Sequence, residues 1–220
     1  MTEPLDLMVH SLPTAEHPVA AAAPVSGRIK LLALLLLCSL PVLAAYWVYF
    51  FVRPAGTAAM GELIQPVRPL PAHSAKDLAG ATHALAELKG QWLLVSVASG
   101  ACPADCQRRL FLQRQLRSML GKDKDRVDGV WLLADDAPVA ATLRAHLDGM
   151  QVWSLSAQAQ AAWLPVATGR KIEDYIFVID PLGNAMMRFP AQLDAPGAAK
   201  AKRDLEKLLR ASASWDGPGR

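Results

Sequence analysis

Three hydrophobic patterns succeed one another along the chain. From Leu31 to Val52 there is no charged residue, an uncharged run of 22 positions that follows Arg28 and Lys30 and is closed by Arg53. As a helix this run spans about 33 Å, enough for a hydrocarbon core of roughly 30 Å. Its exit, Tyr46-Trp47-Val48-Tyr49-Phe50-Phe51, carries the aromatic residues that gather at a membrane interface. A cleaved signal peptide has an apolar core of only about 7–15 residues, so the pattern predicts an uncleaved transmembrane helix over residues 29–52. Pro41 lies inside it, and a membrane helix absorbs such a residue as a kink.

On either side of this span the periodicity disappears. Residues 1–27 are rich in Ala and Pro without an apolar face and predict a disordered tail. Residues 53–75 contain Pro54, Gly56, Gly61, Pro66, Pro69 and Pro71 and predict a stiff linker without regular elements, although Gly61–Pro66 is apolar enough to pack along a domain.

From residue 76 the pattern becomes α/β. Leu78–Leu88 reads as helix or loop, ending at Lys89-Gly90. Trp92–Ala98 is a continuous apolar run, the signature of a strand buried on both faces of a sheet. Cys106–Leu120 places Leu110, Leu112, Leu116, Met119 and Leu120 on one helical face, with Arg108, Arg109, Arg114 and Arg117 outside it. A charged turn at Lys122–Arg126 leads to a strand at Val127–Leu133, and Pro138–Leu147 predicts a second helix. Trp153–Leu164 predicts a short helix. Tyr175–Ile179 is a strand, Asp180-Pro-Leu-Gly-Asn184 a turn, and Ala185–Phe189 its antiparallel partner. Pro196–Arg210 is an amphipathic helix, and residues 211–220 form a tail. Right-handed crossovers make the first strands parallel and cover both faces of the sheet.

Composition changes this picture little. The net charge of +3 is small, and no Lys/Arg cluster is interleaved with aromatic residues, which argues against nucleic acid as a partner. There is no Gly-x-Ser-x-Gly, HExxH or P-loop motif and no Thr-x-x-Cys of the peroxidase kind. The bias of Arg28 and Lys30 over Arg53 places the N-terminus in the cytoplasm and the domain on the far side of the membrane.

The chemistry concentrates at Cys102-Pro-Ala-Asp-Cys106, between a strand and a helix start, where unpaired N–H groups favour thiolate. If both cysteines are helical they share one face. They then form a disulfide or hold one soft ion, and Cu(I) prefers sulfur at low coordination number. Asp105 disfavours the thiolate, while Arg108 and Arg109 favour it. Lone histidines (His73, His83, His146) read as surface residues. Of Met186 and Met187, alternation turns one into the core.

Four stretches resemble the Sco/SenC family of thioredoxin-fold proteins, which help assemble the copper centre of cytochrome c oxidase. They are Lys89-Gly-Gln-Trp-Leu-Leu-Val95, the Cys102–Cys106 motif, Asp135–His146, and Tyr175-Ile-Phe-Val-Ile-Asp-Pro-Leu-Gly183. The resemblance covers residues 76–210 and, with the anchor, implies a thioredoxin-like α/β fold, a central mixed sheet flanked by helices behind one transmembrane helix. It implies a single-pass protein of a bacterial inner membrane with a periplasmic domain. Cys102 and Cys106 become a redox pair and candidate Cu(I) ligands, and an oxidase subunit or assembly factor the client. The chain departs from the family at the third copper ligand, a histidine eight residues before the turn aspartate. That count falls on Ile172, and no histidine follows Trp153. Thiol–disulfide exchange and transient Cu(I) handling therefore both stand as expectations, closer to an assembly factor than to a metabolic enzyme. A membrane-anchored scaffold with inert cysteines is the alternative.

Overall fold

The computed structural model describes residues 25–52, 59–147 and 149–214. The chain divides into two units, residues 1–56 and residues 57–220. The first holds α1 (Val25–Trp47), continued by a π-helical turn at Val48–Val52. Within it Gly27–Phe50 is long and apolar enough to cross a membrane, its most apolar 18-residue stretch having a mean hydropathy of 2.3. Its leucines point outward, as a lipid-facing helix requires.

The second unit is built on a mixed sheet. In chain order its elements are β1 (Glu62–Arg68), β2 (Ser74–Asp77), β3 (Thr82–Ala84), β4 (Trp92–Ala98), α2 (Ala104–Ser118), β5 (Val127–Leu133), α3 (Ala141–Arg144), β6 (Met150–Ser154), α4 (Ala157–Trp163), β7 (Tyr175–Ile179), β8 (Ala185–Pro190) and α5 (Ala195–Ser212). The strands lie in the order β1-β8-β7-β4-β5-β6-β2-β3. The β4–β5 and β5–β6 pairs are parallel, and β4–β7 and β7–β8 are antiparallel.

All seven residues of β4 are buried, which explains their unbroken apolar run. Alternation nonetheless sorts them. Leu93, Val95 and Val97 join one core layer with Leu88, Trp163 and Phe177. Trp92 and Leu94 join the other with Leu116, Ile176 and Leu205, under α2 and α5. Leu116 is fully enclosed, a burial that contributes about 1.5–3 kcal/mol. On α5, Asp194 caps the helix by accepting the Gly197 N–H at 2.8 Å.

The predicted strands at Trp92–Ala98, Val127–Leu133 and Tyr175–Ile179 have the observed bounds. Four local expectations are corrected. The segment read as a linker without elements contributes β1 and part of β2. As an edge strand paired only with β8, β1 tolerates Pro66, because its outer N–H groups need no partner. Leu78–Leu88 is neither helix nor loop throughout, but β3 followed by a 3₁₀ turn at Leu85–Leu88. The second helix shrinks to the single turn α3, because Val139 is drawn into the core beside the cysteines. The expected helix from Trp153 begins only at Ala157, capped by Ser156, and Trp153 belongs to β6.

Candidate redox site

At the C-terminal end of β4 the chain turns through Ser99-Gly100-Ala101 and delivers Cys102 to the start of α2. The turn closes with the Cys102 N–H donating to the Ser99 carbonyl at 3.1 Å. Gly100 is required here, since a Cβ at that position would collide with the Ala137 carbonyl oxygen. Asp135, just after β5, accepts the Gly100 N–H at 2.9 Å and the Ala137 N–H at 3.2 Å. A bond from the Ser99 side chain, together with these N–H groups, holds the Asp135 carboxyl below its ordinary range. On the helix side, Gln107 Nε2 donates to the Cys102 carbonyl at 3.1 Å.

Cys102 and Cys106 form a disulfide with their Cα atoms 5.0 Å apart. Cys102 has φ 37°, in the left-handed region that costs a non-glycine residue about 1–2 kcal/mol. It lies outside the helix. Pro103 is the N-cap, and Cys106 is the third residue of α2. The two cysteines therefore do not share a helical face, and the bond joins a loop to a helix. Nor are they exposed at the helix start. Cys102 is 1% and Cys106 0% accessible, packed with Ala98, Leu110, Trp131, Val139 and Val152. Trp131 fixes the floor by donating its indole N–H to the Ala98 carbonyl at 3.2 Å.

The neighbouring charges are engaged elsewhere. Arg108 pairs with Asp105 on the exposed side of α2, and Arg109 donates to the Glu173 carbonyl at 2.6 Å. Ile172 opens the 3₁₀ turn before β7 and packs its side chain on the core layer of Val95, Val97 and Phe177, offering no donor atom. Met187 is buried in the opposite layer, and Met186 is half-buried against it.

The histidines lie in other parts of the domain. His83 on β3 stands between Asp77 and Glu87, 3.1 Å from a carboxylate oxygen of each. Its pKa is raised, first by Asp77 and then by Glu87. His146 follows α3, its Nδ1 2.8 Å from the Thr142 carbonyl. His73 is exposed in the turn before β2.

The sequence singled out both cysteines but assigned no role to Asp135, Ser99, Gly100 or Gln107. The only signal was Asp135 within the Asp135–His146 stretch, whose resemblance marked the segment and not the bond. Once its disulfide is reduced, the site offers a soft ion two sulfur donors. That suits two-coordinate Cu(I). It does not suit the family's three-ligand arrangement, because the third position, Ile172, is an apolar side chain packed against the core.

The domain shares its fold with Sco proteins. It is similar to a SCO1/SenC family lipoprotein from Bacillus anthracis at a TM-score of 0.51 and 15% identity, over 66% of this chain and 99% of that one. It is similar to yeast Sco1 with copper bound at a TM-score of 0.52 and 13% identity, over 66% of this chain and 90% of that one. At these identities the likeness is one of fold. No curated protein sequence matches the chain significantly. Residues 92–212 match the family described as "Transmembrane-like, thioredoxin-like, C-terminal domain". With a mixed sheet, a cysteine pair spanning the start of α2 and an apolar N-terminal helix in place, the chain belongs to that transmembrane-like, thioredoxin-like family.

Proposed function

We propose that this chain is a membrane-anchored thiol–disulfide exchange protein that prepares cysteines of cytochrome c oxidase, or of one of its assembly factors. The observation that carries the reading is the Cys102–Cys106 bond between a strained loop residue and a helix start. In its dithiol form, a thiolate of the pair attacks a client disulfide and forms a mixed disulfide, releasing one client sulfur as thiolate. The second cysteine displaces the other client sulfur. The client leaves as a dithiol, and the Cys102–Cys106 bond takes up the two-electron oxidation. A dithiol donor protein then reduces the pair. Cys102 is the sulfur that a shift of the 99–103 turn exposes, and Cys106, held in α2, is the resolving sulfur.

We place the tail 1–27 in the cytoplasm of a bacterial cell, the span 29–52 in its inner membrane, and the domain in the periplasm. Cu(I) is a second cargo of the same site. The reduced pair offers it two soft ligands.

The test is thiol trapping of the full chain in cells, with oxidase assembly followed in parallel. The reading expects a mixture of dithiol and disulfide that shifts with mild oxidant and reductant. A pair inert to both, or normal oxidase assembly with Cys102→Ser and Cys106→Ser combined, refutes exchange and leaves the scaffold.

A further inference from the structure

Beside the disulfide, the exposed side of α2 faces the α3–β6 segment across a groove of about 580 Å³. Leu110, Leu143, Leu147 and Met150 form its floor, and Phe111 stands at its lip, 54% exposed. A second depression of about 370 Å³ continues it along α2, sharing Phe111, Arg114 and Met150 and adding Arg117. Among the described residues no carboxylate lines either part.

The rim is cationic. Arg108 is answered by Asp105, but Arg114 donates to the His146 carbonyl, a neutral acceptor, and meets no carboxylate among the described residues. Arg117 donates to the Val127 carbonyl and lies 3.5 Å from Asp125. The volume falls in the range of sites that take a ligand, about 300–1,000 Å³. The apolar groups lie at the bottom of a recess and not on a flat face, which suits inserted side chains better than a lipid surface.

We propose that this groove docks an acidic amphipathic segment of the client protein. Its apolar side chains enter between Phe111 and Leu143, and its carboxylates face Arg114. The inference rests on the thiol-exchange reading and gives its client a chemistry. Ala104 and Gln107 line the groove, and Gln107 holds the Cys102 carbonyl, so a docked segment reaches the brace of the reactive turn. Docking there also raises the effective concentration of the client disulfide at the reduced pair.

The test uses the full chain in neutral-lipid nanodiscs and a short labelled helical peptide with one leucine face and one glutamate face. A twin peptide carries lysine for glutamate. Binding of the glutamate peptide alone is expected, weakened about tenfold by Arg114→Glu, equivalent to roughly 1.4 kcal/mol. Phe111→Ser weakens it about fivefold, the scale of an ordinary interface anchor. Peptide binding by the wild-type chain with its disulfide intact involves no redox step, so failure of the redox reading leaves this result legible. Equal binding of both peptides, indifference to Arg114→Glu, or displacement of the peptide by phosphatidylglycerol vesicles overturns the proposal.

Discussion

Asp135 restrains Gly100 across the ends of two parallel strands, its Oδ1 accepting the Gly100 N–H at 2.9 Å. This bond closes the loop that carries Cys102 onto the loop that follows β5. The turn before the disulfide is thus fixed by a residue more than thirty positions away in sequence. Asp135→Ala should free it, and the disulfide should then be reduced about fivefold faster by dithiothreitol, the weight of one ordinary hydrogen bond. Reduction half-times from a gel-shift assay measure this, and an unchanged rate denies Asp135 any hold on the turn. Because the carboxyl is held below its ordinary range, its contribution is present above the unfolded pKa and is lost as pH falls through the folded one.

The sulfurs themselves are tested by metal. The reduced wild-type chain should take one Cu(I) on Cys102 and Cys106 and hold Cu(II) poorly, since Ile172 supplies no third donor. Sulfur-edge X-ray absorption reads the Cu(I)–S bonds. Tight Cu(II) binding with imidazole nitrogen in its spin-resonance spectrum would falsify the two-donor site.

His83 makes the far edge of the sheet sensitive to pH. Only the protonated ring donates from both nitrogens, to Asp77 and to Glu87. A histidine whose folded pKa is raised stabilises the fold fully below its unfolded pKa, near 6.5, and loses that contribution as pH rises through the folded value. The melting temperature of wild type should therefore exceed that of His83→Gln most at acidic pH, with the gap closing on the alkaline side. A gap independent of pH would show that the ring acts by packing on Trp153 alone.

Glu62→Gln should cost about 1 kcal/mol. Arg188 meets the Glu62 carboxylate through two nitrogens, at 3.0 and 2.7 Å, and lies over the Tyr175 ring. Glu62 is 60% exposed at its side chain, which keeps the pair near the upper end of the surface range. Urea unfolding of the full chain measures the loss, and no change in midpoint would mean that β1 is held by its backbone ladder alone.

The elements legible in the sequence are those whose burial is symmetric. β4, β5 and β7 sit inside the sheet, so their runs are apolar on both faces and show their own limits. Edge positions hide. β1 is mostly exposed and carries Pro66, and β2 and β3 alternate weakly over three or four residues, so nothing local distinguishes them from linker. β6 is short and contains only two buried residues, Val152 and Trp153. At the site, the cysteine spacing announced chemistry. The fixing of Cys102 in a left-handed conformation depends on Asp135 and Gln107, and the Asp135 bond spans two loops that become neighbours only once β4 and β5 pair.

Asp204 on α5 accepts the N–H groups of both Met60 and Gly61, at 2.6 and 3.2 Å, where the chain enters the domain. In mechanical terms this is a strain relief. A pull arriving at Met60 passes into α5 through Asp204 and into β8 through the Glu62–Arg188 pair. Neither contact touches the 99–103 turn, which is held by Asp135 and Gln107. The disulfide should keep one reduction rate whether the tether is slack or taut, a constancy that single-molecule force measurements can check, and Asp204→Ala is the change expected to abolish it.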